Sequence, residues 1–213
     1  MIEFLKPALY VVSGAAWSVA YLLIIVRGHK DKTYGMPFLP LAFNIAWEFC
    51  FTTVFSDGDP IHRVVNGSWL ILDLGILVTY LRYGMRDWPA TISKKLFYPY
   101  SLFVMMMAFA IIWFATRELH DSNGGYMAFI QNLMMSLLFI NMLNQRGNLS
   151  GQSAAIAICK MIGTLAPTLL FVLLRVKFIA FTGAMIFFFD FVYFVMVLNK
   201  GRLFQPIRLR LRA

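Results

Sequence analysis

Seven long apolar stretches take up most of this 213-residue chain: 8–26, 36–55, 68–83, 97–116, 125–144, 153–174 and 178–198. A helix rises 1.5 Å per residue, so about 20 residues cross a hydrocarbon core about 30 Å thick. The third stretch is the shortest and relies on Arg82 or Arg86 to reach the interface. Short connectors rich in Gly, Pro and charge separate the stretches, among them RGHKDKTYG, FSDGDPIHRVVNG, RYGMRDWPATISKK and RELHDSNG. The pattern predicts an all-α, polytopic membrane protein, seven transmembrane helices in one bundle, with residues 1–213 as a single domain and no room for a soluble one. The first stretch lacks a small-residue cleavage site and is read as the first helix, not as a signal peptide.

Composition agrees. Hydrophobic residues make up 60% of the chain and charged residues 14%, against roughly 45–50% and about 25% in soluble domains. That excludes a soluble globular enzyme and a disordered chain. The net charge of +9 points to cytoplasmic loops and anionic membrane lipid, with no nucleic acid as partner. Cys50 and Cys159 both lie in apolar runs and form neither a disulfide framework nor a zinc pattern.

Charge also sets the expected orientation. With seven spans, the N-terminal side carries Lys6, Arg63, Arg117, Arg175 and Lys177. The other side carries the thirteen remaining loop and tail Lys and Arg, and Lys160 lies within a span. The bias places the N-terminus outside or in the lumen and the C-terminus in the cytoplasm. The basic tail QPIRLRLRA suits either anionic headgroups or a simple stop-transfer signal. The membrane is a bacterial inner membrane or that of the endoplasmic reticulum.

Ionisable groups inside a membrane helix are costly and usually functional. Four stand well inside spans: Glu48, Asp73, Lys160 and Asp190. Asn44, Glu48 and Thr52 recur every four residues and so share one helix face. Asp73 follows Trp69 by four, with Tyr80 seven further on; it serves either as an interhelical hydrogen-bond partner or in catalysis. Asp190 sits in FFFDFVYF, with Tyr193 one turn later; an aromatic, water-poor setting would keep it a neutral acid able to donate a proton. Lys160 either snorkels to the interface or pairs with an intramembrane acid. The last span has no lysine, which argues against a retinal-binding protein. Gln131, Asn132, Ser136, Asn141 and Asn144 in the fifth span can orient carboxyls or a polar ligand, or only tie helices together.

Other chemistries lack equipment. There is no Asp-rich cluster; Asp57 and Asp59 read as a loop turn. His29, His62 and His120 are scattered in loops, so no metal is expected. No GxSxG, P-loop or dinucleotide fingerprint is present, and no cofactor is expected.

The segments YGMPFLPLAFNIAWEF, WLILDLGI, GGYMAFIQNLMMSLLFINML, GQSAAIAICKMIGTL and FFFDFVYF together resemble the integral membrane terpene cyclases of fungal indole-diterpene and meroterpenoid pathways, the paxilline and pyripyropene type, which also occur in bacteria. The resemblance runs from about Tyr34 to about Leu198. It implies a metal-independent cyclase that protonates the terminal epoxide or alkene of a prenylated substrate, with a farnesyl or geranylgeranyl chain, and starts a polyene cascade. The family's two acids match Glu48 and Asp190, and Asp73 matches a third acidic position. Asn44, Trp47, Trp69, Gln131, Asn132 and Lys160 fall in family-like motifs.

The residues themselves agree with that chemistry. A cation in the membrane needs electron-rich faces, and Trp47, Trp69, Phe187, Phe188, Phe189, Phe191 and Tyr193 lie close to the acids in sequence. Which of Glu48 and Asp190 donates the proton stays open. The rival reading is a small proton-coupled transporter, since intramembrane carboxyls also form proton relays. The chain shows no internal repeat of the kind that builds many transporters.

Overall fold

The computed structural model describes residues 2–56 and 58–199. The basic tail 205–213 and Asp57 lie outside the described residues. Seven long helices follow in order: α1 Ile2–Asp31, α2 Phe38–Thr53, α3 Pro60–Tyr83, α4 Phe97–Glu118, α5 Gly125–Arg146, α6 Ala154–Leu173 and α7 Lys177–Leu198. Two short 3₁₀ turns, Gly84–Arg86 and Lys94–Leu96, connect α3 to α4. There is no strand among the described residues.

Several boundaries differ from the hydropathy reading, and α1 runs past 8–26 at both ends, from Ile2 to Asp31. The third helix begins at Pro60, so PIHRVVNG is helix and not connector. The cause is local: Asp59 caps the helix by accepting from the Ile61 amide at 2.8 Å, and Pro60 takes the first position, where a missing N–H costs nothing. At 24 residues α3 crosses without help from Arg82. Conversely, α2 has only 16 residues, about 24 Å against a core of about 30 Å. The other six helices are long and apolar enough to cross a membrane. Pro37, in an extended conformation, delays the start of α2.

Being short is tolerated because α2 is enclosed by protein. Eleven of its sixteen residues are buried, and it packs against α3, α4 and α5. Around it, α1 packs on α3 and α6, α6 on α7, and α7 on α5. The buried stretch Gly35–Met36–Pro37 leading into α2 shows irregular backbone where protein, not lipid, surrounds it.

The helices alternate in direction, α2 included. At one end the Arg146 guanidinium donates to the Tyr34 carbonyl at 2.8 Å, the Ser150 carbonyl at 3.0 Å and the Asp87 carboxylate at 2.8 Å. That end gathers the last turns of α1, α3 and α5 and the start of α2. At the other end the Trp47 indole, in the second half of α2, donates to the Gly124 carbonyl ahead of α5 at 2.9 Å. Gly124 has φ +67, and a Cβ there would stand 2.6 Å from Trp47 Nε1 and from the Phe51 ring. Only glycine combines that conformation with that close approach.

The outer faces carry large exposed apolar side chains, among them Leu22, Ile71, Leu102, Phe103, Phe114 and Phe181. So much contiguous apolar surface is incompatible with water and suits lipid.

Candidate active site

Three helices contribute a polar stripe to the interior. On α2, Asn44 and Glu48 are buried as their spacing requires. On α1, Ser13, Trp17 and Tyr21 have the same four-residue period, and Ser13 and Tyr21 are buried. On α6 the stripe is Lys160, Thr164 and Thr168, all buried. Counting 1.5 Å per residue, Glu48, Asp73, Tyr21 and Ser136 all lie about 15 Å from the Arg146 end of their helices, near mid-membrane.

Two groups form there. In the first, Glu48 of α2 and Asp73 of α3 face each other, both essentially without solvent exposure. The Tyr21 hydroxyl donates to Glu48 Oε1 at 3.4 Å. The Asn44 amide donates to Tyr21 Oη at 2.7 Å, and the Gln131 amide donates to Asn44 Oδ1 at 3.1 Å. Asp73 lies against Glu48 and Asn44, yet neither of its oxygens closes a hydrogen bond of good geometry, and Glu48 Oε2 has no partner. Neither carboxyl has a cationic partner among the described residues.

In the second group, Lys160 Nζ of α6 meets Asp190 Oδ1 of α7 at 2.6 Å, with both side chains 1% exposed. The same ammonium donates to Ser136 Oγ on α5 at 2.6 Å, and Ser136 donates to the Asn132 carbonyl at 3.0 Å. The ammonium also stands 5.9 Å from the centroid of Trp17 and 6.0 Å from that of Phe139. Asp190 Oδ2 is buried without a partner. Asp190 therefore stands against Lys160, and Ser136 lies on the same ammonium, where the sequence led one to expect a setting of aromatic side chains. Of the two positions open to Lys160, the structure has the intramembrane pair.

Trp17 joins the groups. Its ring lies 5.5 Å from that of Tyr21 and below Lys160. Gly163 makes room for it: a Cβ there would stand 2.7 Å from Trp17 Cδ1.

The remaining expected site residues fall in several places. Asn44 belongs to the first group. Asn132 donates to Thr164 Oγ1 at 2.7 Å, and its own Oδ1 is buried and unpartnered. Trp69 donates to Ser18 Oγ at 3.1 Å, tying α3 to α1. Trp47 packs on Phe51 and holds Gly124. Tyr193 is buried, donates to Gln152 Oε1 at 3.0 Å and packs on Phe139. Phe189 is half-buried against Phe188. Phe187, Phe188 and Phe191 point outward, as do Asn141 and Asn144; helical period sends neighbours of a buried residue to other faces. Tyr21, Trp17 and Gln152 were not singled out from the sequence. The four-residue stripe of Ser13, Trp17 and Tyr21 was the available signal, hidden because two of its members are aromatic.

Among the described residues no three His, Cys, Asp or Glu side chains gather as metal ligands would. Asp59 is a helix cap.

A helical bundle with apolar outer faces and carboxyls enclosed at its centre defines a polytopic membrane protein with buried ionisable groups. The chain belongs to the family of Pyr4-like transmembrane terpene cyclases, whose profile matches residues 1–198. It is 29% identical over 171 residues to the Pyr4-family terpene cyclase mfmH of Annulohypoxylon moriforme, covering 78% of this chain and 70% of that one. It is 28% identical over 153 residues to terpene cyclase pyr4 of Aspergillus fumigatus, covering 71% and 64%. It is 23% identical over 168 residues to asnovolin H synthase nvfL of Aspergillus novofumigatus, covering 76% and 68%. No solved structure matches. The family and the first two of these relatives are named as terpene cyclases, which makes the chain a membrane enzyme of that kind and favours it over the rival transporter reading.

Proposed function

We propose that this enzyme closes the polyene of a prenylated small molecule by protonation inside the membrane, without a metal. The observation that carries the reading is the Glu48–Asp73 pair, two enclosed carboxyls side by side with no cation beside them. Like charges in such contact cannot both ionise, so the pair holds at least one proton. Glu48 Oε2, lacking a partner, is the donor oxygen. The carboxyl beside Glu48 is thus Asp73, while Asp190 stands with Lys160.

Asp190 has the complementary role. It lies against Lys160, and its Oδ2, buried without a partner, is available to stabilise positive charge and to accept the last proton. The proposed sequence is balanced. A proton moves from Glu48 to the terminal alkene carbon, or to the epoxide oxygen as its C–O bond breaks. Successive alkenes attack the cation, forming C–C bonds. Loss of a proton to a base leaves a neutral product of unchanged mass, and that proton is returned to Glu48. Trp17, between acid pair and carboxylate, offers an aromatic face to the migrating cation, an attraction worth about 2 kcal/mol or more when desolvated. The substrate class is a farnesyl or geranylgeranyl conjugate, which partitions into lipid and enters laterally.

The orientation we propose puts the Arg146 end in the cytoplasm. The alternating helices and the charge bias support it.

The test offers membranes containing the enzyme a panel of farnesyl and geranylgeranyl conjugates, as alkenes and as terminal epoxides, with a chelator present. The expected result is a chromatographic product of unchanged mass that disappears in Glu48→Gln and in Asp190→Asn. Turnover near the wild-type rate in Glu48→Gln would refute the assignment of the donor, and activity lost to the chelator would refute the metal-free route.

A further inference from the structure

The hydrogen-bond chain behind Glu48 has a direction. Gln131 donates its amide hydrogen to Asn44 Oδ1, so Asn44 presents its Nδ2 to Tyr21 Oη at 2.7 Å. That short contact occupies a lone pair of the tyrosine oxygen. The hydroxyl hydrogen must then point elsewhere, and the acceptor within reach is Glu48 Oε1 at 3.4 Å. The bond is long, as catalytic hydrogen bonds often are before substrate binds. A neutral carboxyl accepts best at its carbonyl oxygen. With Oε1 taken as the acceptor, the acidic hydrogen belongs on Oε2, the oxygen with no partner.

We propose that Tyr21 is a positioning residue for Glu48: backed by Asn44 and Gln131, its hydroxyl claims Oε1 and so presents the acidic hydrogen on Oε2. The chain spans α5, α2 and α1 and converges on one oxygen. All four side chains are buried, at 2–6% exposure, so solvent does not compete for these bonds. Tyr21 therefore determines which oxygen of Glu48 is the acid, without touching substrate. The inference rests on the reading of Glu48 as the donor, and its test separates the two.

The test is infrared difference spectroscopy on the purified, substrate-free enzyme. The protonated carboxyl band lost on Glu48→Gln is the Glu48 band. In Tyr21→Phe the carbonyl loses its hydrogen bond, so that band moves to higher wavenumber. With an accepted substrate, Tyr21→Phe lowers kcat about 10- to 100-fold, the loss of one hydrogen bond to a reacting group, while KM is unchanged. A tyrosine that only packs would lower stability but leave the band where it is. If no protonated carboxyl band vanishes in Glu48→Gln, the donor reading fails. If the band vanishes there but stays put in Tyr21→Phe, this inference fails alone. Should Tyr21→Phe not fold, Gln131→Leu frees the Asn44 amide at the far end of the chain; the Glu48 band then splits as the hydroxyl loses its single orientation. An unsplit, unmoved band in Gln131→Leu would overturn the proposal.

Discussion

Replacing Lys160 by methionine removes the cation from a pair whose side chains are both 1% exposed. Methionine keeps the length and volume of the stem, so little packing is lost. What remains is Asp190, enclosed with one oxygen unpartnered and the other stripped of its donor. Removing one partner of a buried ion pair costs about 3–5 kcal/mol, because the other charge is left uncompensated. For a chain of this size each kcal/mol moves Tm by roughly 2–4 °C, which gives a fall of about 6–20 °C. Asp190→Asn falls by a similar amount, since Lys160 is then the stranded charge. The double variant Lys160→Met with Asp190→Asn leaves no charge behind and recovers most of the loss, because buried pairs often contribute little net stability against uncharged replacements. Thermal unfolding in detergent of the four proteins closes the cycle, with a coupling of at least about 2 kcal/mol expected. Losses in the double variant that equal the sum of the singles would refute the ion pair. So would a Lys160→Met protein as stable as wild type. Activity follows a different order: the double variant stays inactive because the proposed base is gone.

Three further outcomes follow from the geometry. Glu48→Gln lowers kcat by at least about 10²-fold, the low end of general-acid contributions, while Asp73→Asn, which keeps a hydrogen-bonding group beside Glu48, loses less; product formation under saturating substrate measures both. Gly163→Ala pushes its Cβ into Trp17 at 2.7 Å and destabilises by about 1–3 kcal/mol, whereas Gly14→Ala, with nothing within 4 Å, is neutral or stabilises by up to about 1 kcal/mol; melting curves compare them. Arg146→Lys fails to replace the guanidinium that serves Tyr34, Ser150 and Asp87 together, costs about 2 kcal/mol, and speeds hydrogen exchange of the Gly151 amide bonded to Asp31.

Hydropathy alone determined that this chain is a bundle of membrane helices, because lipid demands long apolar segments and leaves little freedom in how their backbones bond. It also exposed Glu48, Asp73, Lys160 and Asp190, since charge stands out against an apolar background. Their partners were not legible. Helical period says which face of α2 bears Glu48, but not whether α3 or α7 lies opposite that face. The difference is chemical: Glu48 stands beside a second carboxyl, while Asp190 stands beside the amine of Lys160. Tyr21 and Trp17 were hidden for a related reason. In a chain with 16% aromatic residues a ring carries no signal until the helices meet and place its hydroxyl beside an acid or its face below an ammonium. The identity of the elements is a one-dimensional property, fixed by what each segment must bury. The roles of the acids are set by neighbours far away in sequence, and only the packing of seven helices chooses them.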